Sequence, residues 1–194
     1  RLIKNFPDSV FIANGYAVKG ECHVRLGQLE EAEDALKNAL VVTEKNSTLN
    51  LACVYWLART YELTKRYEEA LSEYHTYCKF ATLGGTYYPN AIVNSGKVFY
   101  QLKDYQNAIP LFEYCVSNGK KYTSSVFNDA LLKLADSYNK NGMPTKTISL
   151  FNKINKDDVG SLPYYLLMSY TGDAYKDLKE YKKAYDLYCE VLSS

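Results

Sequence analysis

Small and apolar residues recur along this chain at the spacing of a helix face, broken at regular intervals by short polar turns. Val10 to Arg25 carries Ala13, Ala17, Gly20 and Val24 on one face, which predicts a helix. A break at Leu26-Gly27-Gln28 leads into an amphipathic stretch from Glu30 to Leu40. Its acids lie near the start, where the helix dipole favours them. Upstream, Arg1 to Phe6 has the apolar spacing of a helix end, Pro7 stops it, and Asp8 and Ser9 are suitable caps for the helix that follows.

The same helix–turn–helix pattern then repeats. Ser47 or Thr48 opens a run through Leu51, Ala58 and Tyr61, with a turn at Thr64-Lys65-Arg66 and a return from Tyr67 to Tyr74. After Gly84-Gly85, Pro89 or its neighbours open a third pair, in which Ile92, Gly96 and Phe99 are answered across Lys103-Asp104 by Tyr105, Ala108, Phe112 and Cys115. Ser124 or Ser125 is the expected cap of a fourth first helix containing Leu131, Leu134, Ala135 and Tyr138. Pro144 stands at the first position of its return helix, where a missing N–H costs least. The fifth pair runs from Ser161-Leu162-Pro163 through Gly172 and Tyr175 and returns through Tyr181, Ala184, Tyr188 and Val191.

The small residue early in each return helix is Ala32, Ala70, Ala108, Thr147 and Ala184, at spacings of 38, 38, 39 and 37. So steady a period is the signature of a helical solenoid. The expectation is an all-α, right-handed superhelical solenoid of about five antiparallel helix pairs. Residues 1–194 form a single array with repeats at about 7–46, 47–85, 86–122, 123–160 and 161–194. Residues 1–6 would end a preceding helix, as part of a longer protein.

These residues resemble the tetratricopeptide repeat family along essentially the whole chain. The family pattern asks for a small residue in the first helix, met by Gly20, Ala58, Gly96, Ala135 and Gly172. An aromatic follows three later at Tyr61, Phe99, Tyr138 and Tyr175, with His23 in the first copy. Four places after the small residue of the return helix stand Leu36, Tyr74, Phe112, Phe151 and Tyr188. The period is longer than the usual 34 or so residues, which implies longer helices or loops. Pro110, inside the third return helix, removes a hydrogen bond at a typical cost of ~3 kcal/mol and predicts a kink or a delayed start. The phrase Phe6-Pro7-Asp8-Ser9 before a long helix is similar to repeats of bacterial cell-envelope lipoproteins of this family. That resemblance favours a periplasmic or envelope location over the cytoplasm.

Composition narrows the function. Lys plus Arg number 23 against 22 Asp plus Glu, so no overall charge draws the chain to nucleic acid or to an anionic membrane. No apolar run approaches the ~20 residues of a membrane span. The five cysteines lack C-x-x-C spacing and read as thiols rather than as disulfides or a zinc site. Cys22, Cys53 and Cys115 fall on apolar faces, whereas Cys78 and Cys189 lie late in return helices. Only His23 and His75 have side chains that ordinarily titrate near neutrality. His23 takes an aromatic packing position, and His75 with Cys78 supplies two metal ligands at most. No catalytic residue, metal site or cofactor is expected.

A second stripe remains, on the side of each first helix that faces away from its partner. Steps of 3, 4 and 3 give Asn14, Ala17, Glu21, Val24; Ala52, Tyr55, Arg59, Glu62; Asn90, Val93, Lys97, Tyr100; Asp129, Leu132, Asp136, Asn139; and Leu166, Ser169, Asp173, Lys176. In the resembled family the first helices line the concave ligand groove. Tyr55, Arg59, Asn90, Lys97 and Tyr100 are therefore the candidate partner-binding residues, with Asn for peptide backbone and Arg and Lys for a carboxylate. Charges on such a stripe also serve simply to solvate a helix face. The expected function is a non-catalytic scaffold for a protein or peptide segment, with no nucleic-acid partner and no membrane insertion by this segment. The alternative is a structural or oligomerisation segment of a larger cell-envelope assembly protein, forming a homo-oligomer through the apolar C-terminal helix.

Overall fold

The computed structural model describes residues 10–81 and 85–193; Arg1 to Ser9, with their expected helix end and caps, and Thr82, Leu83, Gly84 and Ser194 lie outside them. Among the described residues there are eleven α-helices and one short 3-10 turn, without strands. They are α1 (Val10–Leu26), α2 (Leu29–Val42), α3 (Thr48–Leu63), α4 (Tyr67–Phe80), α5 (Tyr88–Gln101) and α6 (Tyr105–Ser117). The 3-10 turn Gly119–Lys121 precedes α7 (Ser124–Lys140), α8 (Pro144–Phe151), α9 (Lys156–Val159), α10 (Ser161–Asp177) and α11 (Tyr181–Leu192). Two compact units divide at Val98 and Phe99, within α5. In the first, α1 packs on α2, α3 on α4, and α3 on both members of the pair before it. In the second, α7 packs on α6 and α8, and α10 on α11, α8 and α7.

The five turns share one geometry. Gly27, Lys65, Lys103, Gly142 and Lys179 all have φ between 60° and 74°, the left-handed region. The next residue in each, Gln28, Arg66, Asp104, Met143 and Glu180, donates its N–H to the carbonyl of His23, Tyr61, Phe99, Tyr138 and Tyr175 respectively. This double-backed ending satisfies the last helical carbonyls and reverses the chain. The family's aromatic position is thus also the carbonyl that closes each turn.

Small residues in the first helices let the return helix approach. A Cβ on Gly20 would sit 2.5 Å from Leu36 Cγ, and one on Gly172 would sit 2.9 Å from Tyr188 Cζ. Thr147, the one departure from the small-residue pattern, is fully buried, and its hydroxyl lies 2.6 Å from Asn139 Oδ1 and 3.1 Å from the Ala135 carbonyl. Asn139 in turn donates to the Tyr170 carbonyl at 2.8 Å. A hydroxyl is accommodated there because it joins α8, α7 and α10 through one chain of hydrogen bonds.

Several local expectations are corrected. Thr123, not Ser124 or Ser125, caps α7 by accepting from Val126 N. The start of α6 is not delayed: Asp104 caps it by accepting from Asn107 N, and the helix passes through Pro110, which is exposed. Cys22 is exposed rather than core, while Cys53 and Cys115 are buried as expected. The one-turn helix α9 was not foreseen. It places Val159 in the cluster formed by Leu131, Ala135 and Leu167, and Asn128 holds it by donating to the Val159 carbonyl at 3.1 Å.

Candidate functional site

On α3, in the first unit, Ala52 of the stripe lines a cleft of about 490 Å³ whose walls also include Leu51, Tyr77, Phe80 and Tyr87. Three elements build those walls. Tyr77 and Phe80 come from the last turn of α4, and Tyr87 from the approach to α5. The Tyr87 N–H donates to the Tyr77 hydroxyl at 3.1 Å, which fastens the approach segment to α4. Tyr87 also stacks flat on Tyr55, with centroids 4.4 Å apart and planes 2° from parallel, and meets Trp56 edge-on at 5.6 Å. Offset and edge-on aromatic contacts of this kind make a stiff wall.

Tyr55 belongs to that wall. It is only 5 % exposed, so its ring supports the face from beneath, and burial first of all pushes its hydroxyl up to about 12. Asn94 on α5 donates to that hydroxyl at 3.4 Å, which holds α3 beside α5. Arg59 is partly exposed and paired with Glu62 at 2.6 Å. Tyr74, fully buried, donates its hydroxyl to the same carboxylate at 2.5 Å. Burial pulls the Arg59 pKa down, but Glu62 and Tyr74 outweigh it and raise it overall. The guanidinium therefore stays charged, with part of its donor set already engaged. Asn90 and Lys97, on α5, are half-exposed.

Tyr100 falls in the second unit, apart from the other four candidates. Its hydroxyl donates to Asp136 and accepts from Lys140, and these two charges pair at 2.8 Å. The ammonium groups of Lys133 and Lys140 lie 4.3 and 4.7 Å from its ring centre, in cation–π range. Burial and the bond to Asp136 raise the Tyr100 pKa, against Lys140. Of the charges along the stripe, Glu21 pairs with Arg25 and Asp173 with Lys176, each at 2.8 Å. The charges of Glu21, Arg59, Asp136 and Asp173 along the stripe are thus muted by ion pairs within single helices. The second unit has its own cleft, about 630 Å³, bordered by Val116, Lys121, Phe127, Ile154 and Asp158.

Sequence reasoning missed Tyr77, Phe80 and Tyr87 because they reach the face from a return helix and a connection. The adjoining aromatics Tyr87-Tyr88 ahead of Pro89 were the available signal. His23 is half-buried and bonded to Gln28 at 2.6 Å. Among the described residues no group of three His, Cys, Asp or Glu side chains is placed to hold a metal ion. No helix among them is long and apolar enough to cross a membrane.

Comparison with known proteins places this geometry. Residues 13–46 and 129–159 each match a tetratricopeptide repeat model. No curated protein matches the chain. Among solved structures, YrrB, described as a TPR protein with an unusual peptide-binding site, aligns with a TM-score of 0.75 at 16% identity over 98% of this chain and 89% of that one. MamA from Desulfovibrio magneticus RS-1 aligns at 0.75 and 20% identity over 94% of both chains. The nearly identical TPR-like repeats of a Podospora anserina putative kinesin light chain align at 0.73 and 16% identity over 93% of both. At these identities the likeness is one of fold.

Proposed function

We propose that this array of tetratricopeptide repeats is a non-catalytic scaffold that holds a peptide or protein segment against the outward stripe of its first helices. One observation carries the proposal: the stripe at Ala52 opens into the aromatic cleft of about 490 Å³. That volume suits one or two apolar side chains, and polar groups stand further along the same face. An apolar anchor of the partner enters between Tyr77, Phe80 and Tyr87. Arg59 and Lys97 then meet acidic groups, Asn90 meets backbone, and Tyr55 keeps the wall rigid. Tyr100 contributes separately, on the face of the second unit. A bacterial cell-envelope setting follows the resemblance carried by Phe6-Pro7-Asp8-Ser9.

Selection of binders from a random peptide display library supplies the test. Peptides recovered on the native chain are expected to carry an aliphatic or aromatic anchor beside an acid. Ala52→Glu, which places a charge at the cleft, and Lys97→Glu should each weaken them at least tenfold. Peptides that bind both variants as tightly as the native chain would place the site elsewhere. The alternative of a self-associating segment is favoured by Tyr181, Tyr185 and Leu192 on α11, which are exposed.

A further inference from the structure

The cleft of the second unit has a chemistry of its own. Aligned on Ala70 and Thr147, Ile154 is the equivalent of Tyr77. The two clefts therefore share a place in the repeat, where a first helix begins and the return helix of the same pair ends. Their walls differ. In the first unit they are aromatic, and among the described residues no charged side chain lines them. In the second, Val116, Phe127 and Ile154 form an apolar floor, packed against the buried cluster of Leu131, Ala135, Val159 and Leu167. Gly119 backs the Phe127 ring so closely that a Cβ there would run into it. The floor is thus fixed by the core beneath it.

Polar groups border the same floor. Lys121, Ser117 and Ser124 are exposed, and among the described residues no hydrogen bond or ion pair engages the Lys121 ammonium or the two hydroxyls. Ser117 ends α6, Lys121 closes the 3-10 turn and Ser124 opens α7, so three elements bring donors to one cleft. Asp158 on α9 adds an acceptor, steadied by the Asn155 amide, which donates to it at 3.2 Å. An ammonium beside hydroxyls suits a carboxylate, since charge-assisted hydrogen bonds are the strong ones. Asp158 narrows the choice of what carries that carboxylate. The second negative charge of a phosphate would be opposed by it, and a fatty acid has no N–H to offer it. A peptide segment supplies both, a side-chain carboxylate for the donors and a main-chain N–H for Asp158. The volume of about 630 Å³ is within the range of ligand clefts and takes two side chains.

We infer that this cleft is a second docking site, for a partner segment in which an aspartate or glutamate adjoins an aliphatic or aromatic residue. The apolar side chain rests on Phe127 and Ile154, and the carboxylate accepts from Lys121. The inference rests on the reading of the chain as a peptide-binding scaffold, and it gives each unit an anchor point of its own.

Display selection on the complete chain carrying Ala52→Glu, which charges the first unit's cleft, tests the inference. Recovered peptides are expected to hold an acid beside an apolar residue and to bind the native chain as tightly as the selected one. Adding Lys121→Glu or Ser124→Glu should weaken them about tenfold, whereas Lys19→Glu, the same charge change as Lys121→Glu but on α1, should leave them within about twofold. Replacing the acid of the peptide by its amide should cost about as much as Lys121→Glu. In the isotope-labelled native chain these peptides should shift the amides of Ser117, Lys121, Phe127 and Ile154, a readout that needs no variant to fold. Recovery of no peptide overturns the inference, as do peptides indifferent to both substitutions at the cleft or to loss of their acid. Displacement of the peptide by an equal concentration of decanoate or inorganic phosphate also overturns it, and assigns the cleft to a fatty acid or a phosphate group. The reading of the first unit stands or fails separately, on peptides that respond to Ala52→Glu and not to Lys121→Glu.

Discussion

Two glycines five residues apart on α1 should respond oppositely to the same substitution. At Gly15 an added Cβ has nothing within 4 Å. Glycine in a helix interior is about 0.8–1.0 kcal/mol less favourable than alanine, so Gly15→Ala should stabilise by about that amount. At Gly20 the same methyl lies 2.5 Å from Leu36 Cγ and 2.6 Å from its Cδ2. Leu36 is fully buried and cannot swing into solvent. Overpacking of this kind costs about 1–3 kcal/mol, which cancels or exceeds the helix gain. Gly20→Ala should therefore be neutral to about 2 kcal/mol destabilising. Thermal unfolding followed by circular dichroism in dilute solution checks both variants, at about 2–4 °C per kcal/mol for a chain of this size. A Gly20→Ala chain that gains as much as Gly15→Ala would refute the close approach of α1 and α2.

Three further outcomes follow from other parts of the structure. Lys65 holds φ at 61°; Lys65→Gly should raise stability by about 0.5–1 kcal/mol, because relief of the left-handed strain exceeds the entropy glycine adds, and urea unfolding measures it. Thr147→Ala leaves Asn139 Oδ1 without its bond from the Thr147 hydroxyl and should cost about 1–2 kcal/mol in the same assay. Burial raises the Glu73 pKa, so the folded chain holds this proton more tightly than the unfolded one. Its contribution is least unfavourable at acid pH and turns against folding as pH rises through the ordinary carboxylate range and up to the raised folded value. Glu73→Gln should then stabilise at neutral pH, with the gain fading in acid. A gain constant from acid to neutral pH would contradict that cause.

Much of the fold was legible because it rests on short-range chemistry. Small residues at Gly20, Ala58 and Gly172, opposite Leu36, Tyr74 and Tyr188, declare a close helix pair by size alone. The left-handed turns at Gly27 and Gly142 carry their own marker. Those at Lys65, Lys103 and Lys179 do not, since lysine has no preference for that conformation; only the repeat register points to them. The site was harder to see. Helical spacing puts Tyr55 on the outward stripe, yet spacing on one helix cannot report that Tyr87 arrives from a connection and covers the ring. Nor can it show that Glu62 and Tyr74 engage Arg59. These contacts are set by packing between helices, and they convert a row of apparent ligand groups into a rigid wall with a cleft beside it.

On the proposal above, partners are held on the first-helix face and in the cleft that borders it, and not on the exposed sides of the return helices. Backbone amide shifts of the isotope-labelled chain, recorded with and without a selected peptide, test it most directly. Changes are expected at Ala52, Arg59, Asn90 and Lys97 and around Tyr77, Phe80 and Tyr87, with exposed Glu68 and Ser72 on α4 unmoved. Changes confined to the exposed sides of α2 and α4 would contradict it.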